Sequence, residues 1–198
     1  MKKQIILLLS LLAALFTGCS DQKAPATRLR WMEIKTATDN LVDSLALINQ
    51  SSSKESEPED ALTEPLAQAT STINASQTYI DALSTQKTLN VDPRLNDLAE
   101  KLIESANSIL TQTKRGQDAI ITAQRLMKEQ QTIADPQNLQ QLAVEVSNVL
   151  QEMNSVQQDA MAAMEQFNNN YQELETLRLE LNKQYGFELP QIKWMDQQ

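Results

Sequence analysis

The sequence predicts an all-α protein: an elongated, antiparallel four-helix bundle of coiled-coil character, whose third and fourth helices can protrude as a hairpin. Three observations predict it. Apolar residues recur at steps of three and four through four long blocks. No stretch alternates as a half-buried strand does. The joints between blocks carry low-complexity polar residues or Asp-Pro pairs, which start helices.

The first block holds Trp31, Ile34, Leu41, Leu45 and Ile48 on one face, with Thr38 in the gap, and predicts a helix over 27–49. Residues 51–60 (SSSKESEPED) read as a low-complexity polar loop. Leu62, Leu66, Ala69, Ile73, Ser76, Ile80 and Leu83 continue the rhythm in a second helix ending near Thr88. Asp92-Pro93 and Asp135-Pro136 each place an N-cap carboxylate before a proline at the first helical position. There the acid accepts orphan backbone N–H bonds and the proline wastes none. The runs they open (DPRLNDLAE and DPQNLQQLAVE) are loosely alike, and shared helix-start chemistry explains this better than a repeat.

The third helix is expected over 93–133, with Leu95, Leu98, Leu102, Ile109, Ile120 and Met127 inward and Gly116 as its weak point. The fourth keeps heptad spacing from Leu139 to Leu181, interrupted once by Asn170. Leu150, Met164 and Tyr171 lie beside that seam, so its apolar face is wider than a two-stranded coiled coil needs. A break at 168–170 would shorten the shape. Tyr185-Gly186-Phe187 predicts a left-handed glycine cap with a return contact from the phenylalanine. An up-down-up-down order would return the C-terminus to the end where the first helix starts and bring Trp194 near Trp31.

The first residues divide as a secretory leader does. Lys2 and Lys3 precede an apolar run over 5–16, broken only by Ser10. That run is shorter than the roughly 20 residues a membrane crossing needs. Leu15-Phe16-Thr17-Gly18-Cys19 follows, and it resembles the lipobox of bacterial lipoproteins, with Phe16 where leucine is commonest. The resemblance implies cleavage between Gly18 and Cys19, a diacylglyceryl group on the Cys19 sulfur and acylation of the new amine. Two or three acyl chains hold a protein at a membrane far more firmly than one. Ser20 after the cysteine, in place of the aspartate that marks inner-membrane retention in that class, implies the outer membrane, with the domain in the periplasm. The chain thus divides into a signal peptide (1–18), a lipidated tether (19–26), a helical domain (27–186) and an apolar tail (187–198).

Composition narrows function. Of 198 residues 41% are hydrophobic, enough for one domain with a core. Without Lys2 and Lys3, 15 of the 17 basic residues remain against 26 acidic ones, a formal balance of −11. Such a surface repels phosphates, so nucleic acid is not an expected partner. There is no histidine, and Cys19 is the single cysteine. His/Cys zinc sites and Ser-His or Cys-His catalysis are excluded. Only Gly116 and Gly186 follow the leader, so no glycine-rich phosphate loop exists. Neither an enzyme activity nor a metal or other cofactor is expected.

Three features remain as candidate sites. Glu145, Glu152, Asp159, Glu173 and Glu180 form an acidic stripe on the fourth helix, either a solvated flank or a docking stripe for a basic partner. Phe187, Leu189, Ile192, Trp194 and Met195 form the apolar tail, which either packs back on the bundle or anchors a partner. Met153, Met164, Phe167 and Tyr171 could line a gap for an apolar ligand. The expected role is a non-enzymatic, membrane-tethered scaffold or adaptor for an envelope protein, held by lipid on Cys19. A small-ligand-binding bundle is the alternative. Murein lipoprotein, a short lipidated coiled coil, joins the cell wall through a C-terminal lysine. This chain ends Asp196-Gln197-Gln198, so that attachment does not carry over.

Overall fold

The computed structural model describes residues 23–51, 62–84, 91–131 and 136–193. The leader, Cys19, the Asp135 cap, Trp194 and Met195 lie outside the described residues. Four helices occupy the rest: α1 (Lys23–Ser51), α2 (Thr63–Ser84), α3 (Pro93–Gln130) and α4 (Pro136–Tyr185). Each packs antiparallel against the next, and no strand occurs among the described residues. The starts of α1 and α3 and the ends of α2 and α4 meet at one end, here called the base.

Several boundaries differ from the sequence expectation. Helix α1 begins at Lys23, so it absorbs half of the expected tether. Pro25 falls in its first turn, where its missing N–H costs nothing. Helix α3 ends at Gln130, short of Ile133, and α2 is described as far as Ser84, so its expected end near Thr88 lies outside the described residues. Helix α4 runs unbroken through 168–170. The reason is local: Asn170 donates through Nδ2 to Ser105 Oγ (2.6 Å) and to the Lys101 carbonyl (3.1 Å) on α3. A satisfied polar pair at a core position fixes register rather than ending the helix.

The core occupies the base half. Trp31, Ile34 and Leu41 of α1 meet Tyr79 and Leu83 of α2, Leu95 to Leu110 of α3, and Phe167 to Leu181 of α4. Each such side chain contributes about 1.5–3 kcal/mol on burial. The Tyr79 and Phe167 rings meet edge to face, 5.9 Å apart. Thr38 and Tyr79 hydroxyls face each other at 3.3 Å across α1 and α2. Arg30 reaches the last turn of α2, donating to the Leu83 carbonyl at 3.0 Å, where a cation also suits the helix dipole.

The base is locked by Asp92, which behaves as the sequence predicts. Its carboxylate accepts from the Arg94 backbone N–H (3.1 Å) and caps α3. At the other junction Gly186 adopts φ 68°, ending α4, and Phe187 stacks on Tyr185 at 5.3 Å.

Helices α3 and α4 outrun the others. At 38 and 50 residues they extend about 57 and 75 Å, whereas the 22 residues of α2 extend about 33 Å. Beyond Leu110 and before Phe167, the buried apolar residues of the hairpin are Ala119, Leu126, Leu142 and Ala163. Met127, expected inward, is 52% exposed, and Leu126 takes its place.

Gly116 lies within an unbroken α3, where α4 leaves room for a side chain. A Cβ added there would meet Val156 Cγ1 at 3.4 Å, an ordinary contact distance. Gly116→Ala therefore keeps the helix spacing and gains helix propensity. It is expected to raise stability by about 0.5–1 kcal/mol in urea unfolding. A loss of stability would show that the helices need the bare backbone.

Candidate functional site

The acidic stripe of α4 is answered from within the chain. Glu180 pairs with Arg94 (2.8 Å), Glu173 with Lys101 (2.7 Å), and Glu152 and Asp159 both with Arg115 (2.8 Å each). Glu145 meets Arg125 at 3.3 Å. From Arg94 to Arg115 the ladder steps by sevens forward on α3 as it steps by sevens back on α4, and the Arg125–Glu145 rung lies outside that step. Ser108 falls where Gln166 interrupts the acids. All five acids of the proposed docking stripe thus face α3 cations, and the stripe is corrected to an interhelix ladder. Each rung is solvent-exposed and contributes little, so the ladder sets register more than stability. The missed residues are Arg94, Lys101, Arg115 and Arg125, the first three in heptad register. That spacing on α3 was the available signal.

The apolar tail is also committed to the chain. After Gly186 it reverses and runs back along the groove between α1 and α4. Leu189 and Ile192 are 3% and 1% exposed. Pro190 accepts from Trp31 Nε1 (3.1 Å), and Ile192 accepts from the Tyr171 hydroxyl (3.1 Å). Arg178 donates to the Leu189 carbonyl at 3.1 Å, and Lys193 N–H to Asp39 at 2.8 Å. Phe187 is half-buried against Tyr185. The expectation that Phe187, Leu189 and Ile192 offer themselves to a partner is therefore corrected. They complete the core because α1 and α4 leave a groove that apolar chain must fill.

The gap expected between Met153, Met164, Phe167 and Tyr171 is filled at one end and open at the other. Phe167 and Tyr171 are buried, whereas Met153 and Met164 stand at the surface. Burial pushes the Tyr171 phenol up to about 12, with the nearby Glu175 and Asp39 acting in the same direction. That hydroxyl stays protonated as a donor to the tail. A surface groove of about 530 Å³ lies over the α3–α4 ladder, lined by Arg94, Asp97, Lys101, Glu173 and Glu180. The ion pairs of the ladder span it. Among the described residues, no cluster of three or more acidic or cysteine side chains could hold a metal ion. None of the described helices is long and apolar enough to cross a membrane.

One apolar surface remains uncovered. From Leu139, steps of four and three on α4 reach Ala143, Val146, Leu150 and Met153. After Gln157 they reach Ala160 and Met164. Leu139, Val146, Leu150, Met153 and Met164 are all exposed, Leu150 at 57%. The same steps continue to Phe167, Tyr171, Leu174 and Leu181, which are buried. This is one seam with two halves. At the base, α1, α2 and the tail cover it. Towards the tip no element of the described chain does. A second row, from Leu142 through Val149 and Val156 to Ala163, faces α3.

No family model, curated protein or solved structure matches the chain.

Proposed function

We propose that this protein is a lipid-tethered, non-enzymatic helical scaffold of the cell envelope. It would be held through Cys19 at the outer membrane, with its helices in the periplasm. The single observation that supports the scaffolding role is the uncovered half-seam on the distal part of α4. Contiguous exposed apolar surface of this kind is costly to maintain and marks interaction sites. The lipobox-like Leu15-Phe16-Thr17-Gly18-Cys19 supports the tether.

The two features suit each other in position. Cys19 precedes Lys23, the first residue of α1, by four positions, so a lipid there holds the base near the bilayer. Helix α4 then lifts the tip by up to about 75 Å. The seam is presented away from the anchor, towards whatever the envelope places at that height. Tethering confines the protein to a surface and raises its effective concentration towards neighbours.

The tether is tested by Cys19→Ser. The variant is expected to take up no radiolabelled fatty acid and to accumulate with its leader uncleaved. Normal processing of the serine variant would remove the lipoprotein reading. The scaffold is tested by a photo-crosslinking residue at Leu150, which is expected to give a specific adduct in cells. A crosslinker at Thr111, on an exposed face of α3, serves as the control. Adducts equal at both positions, or at neither, would remove the scaffold reading.

A further inference from the structure

We infer that the uncovered half-seam of α4 pairs with the same face of a second copy of this chain, parallel and in register. This names the occupant of the surface on which the scaffold reading rests.

The spacing alone asks for a helix. Steps of four and three along one stripe are what a coiled-coil partner reads. At the base this same stripe is already an interface, closed by α1, α2 and the tail, and the distal half continues it without a change of phase. Charge then selects the occupant. Between Leu139 and Met164 the charged residues of α4 are Glu145, Glu152 and Asp159. All three point to arginines of α3, away from the stripe. The positions beside the stripe are neutral: Gln140, Ser147, Asn154 and Gln158. A basic or acidic partner would find no opposite charge to recognise here. A second copy would find a surface as neutral as itself, on a chain whose formal charge of −9 opposes contact elsewhere.

Gln157 selects the orientation. It is the one polar residue in the uncovered stripe. In a parallel, in-register pair the two Gln157 amides face each other and exchange hydrogen bonds. In an antiparallel pair each would be buried against apolar side chains, leaving its amide unpaired. Parallel pairing also keeps both N-terminal ends on one side, as two anchors in one membrane require. The stripe is about 38 Å long and on the order of 450 Å² per copy. That lies below the roughly 800 Å² per partner of a standard stable interface. The pairing is therefore weak in dilute solution and reinforced when both copies are confined to a surface.

The test uses the full chain with its leader, expressed in cells. Gln157→Cys, oxidised with copper phenanthroline in the membrane fraction, is expected to give a disulfide-linked species of twice the chain mass. The parent, with Cys19 as its single cysteine, is expected to give none. Adding Leu150→Asp should lower the linked fraction at least about tenfold, with the circular dichroism unchanged because Leu150 is solvent-exposed. A dimer by mass that Gln157→Cys fails to link would overturn the parallel register. No self-linked species, alongside a specific Leu150 photo-adduct with a different protein, would overturn the second copy as occupant and leave the scaffold reading standing. Absence of both products would remove both.

Discussion

Truncation after Gly186 is expected to destabilise the bundle by roughly 5 kcal/mol, rather than to leave a folded domain that has merely lost an anchor. Leu189 and Ile192 are buried in the same core as Trp31 and Leu174. Removing each costs about 2–3 kcal/mol in transfer and cavity terms. The Trp31 indole N–H and the Tyr171 hydroxyl lose the Pro190 and Ile192 carbonyls. Water entering the opened groove satisfies them only partly, at about 1 kcal/mol each. The freed tail regains conformational entropy, which offsets part of the sum. In a domain of this size, 5 kcal/mol corresponds to a fall in Tm of about 10–20 °C. Thermal and urea unfolding of the chain ending at Gly186 measure it directly. Ile192→Ala isolates the largest piece and is expected to cost about 2–4 kcal/mol. A truncated chain with an unchanged midpoint would show that the tail only rests on the surface.

The parts of this architecture legible in the sequence are those decided by a few adjacent residues. Asp92-Pro93 marks the start of α3 because capping is chemistry within one turn. Gly186 marks the end of α4 because only a left-handed residue allows the reversal that follows. The heptad spacing of α4 likewise shows that the helix has two apolar rows. It does not show which stretch of each row is covered, because that depends on where α1 and α2 end. The width of the α4 face suggested a bundle from which the third and fourth helices can protrude. Among the described residues the shorter α1 and α2 leave its distal half bare, and the difference becomes a candidate interface.

Two further features were open in the sequence for one reason. On one helix the acids of α4 could be either a solvated flank or a docking stripe. Their partners sit on α3 at matching steps, and only the antiparallel pairing brings Arg94 to Glu180 and Lys101 to Glu173. Asn170 read as an interruption, and 168–170 as a place where the helix could break, for the same reason. Its partner, Ser105, lies 65 residues away in sequence. A polar residue in an apolar seam is a defect in one helix and a register pin between two.

Asp92→Ala is expected to be the most damaging single polar change, at about 3 kcal/mol. The carboxylate joins α3 to α4, and the backbone of the same residue adds α1. Its Oδ1 accepts from the Arg94 backbone N–H and from Arg94 Nε (3.0 Å). Its Oδ2 accepts from Arg94 Nη2 (3.0 Å) and from the Tyr185 hydroxyl of α4 (3.1 Å). Its backbone N–H donates to Thr27 Oγ1 of α1 (3.0 Å), a bond any substitution keeps. Losing the cap costs about 1–2 kcal/mol. Losing the bonds to Arg94 and Tyr185 adds about 1–2 kcal/mol, moderated because Arg94 is partly exposed and also held by Glu180. Asp92→Asn keeps an oxygen for the cap and should cost about half as much. The charge contribution also has a signature in pH. The side-chain bonds from Arg94 hold the Asp92 carboxyl below its ordinary value of 3.8, against the opposing effect of burial. A lowered folded value means stability that is fully present above the unfolded value and lost as the pH falls through the folded one. The stability gap between the parent and Asp92→Asn should therefore be constant from neutral pH down to about 4 and close on further acidification. Urea midpoints of the two chains across that range measure it. A gap that persists at the lowest pH would mean that Asp92 acts through shape and capping alone, with its charge contributing nothing to the lock at the base.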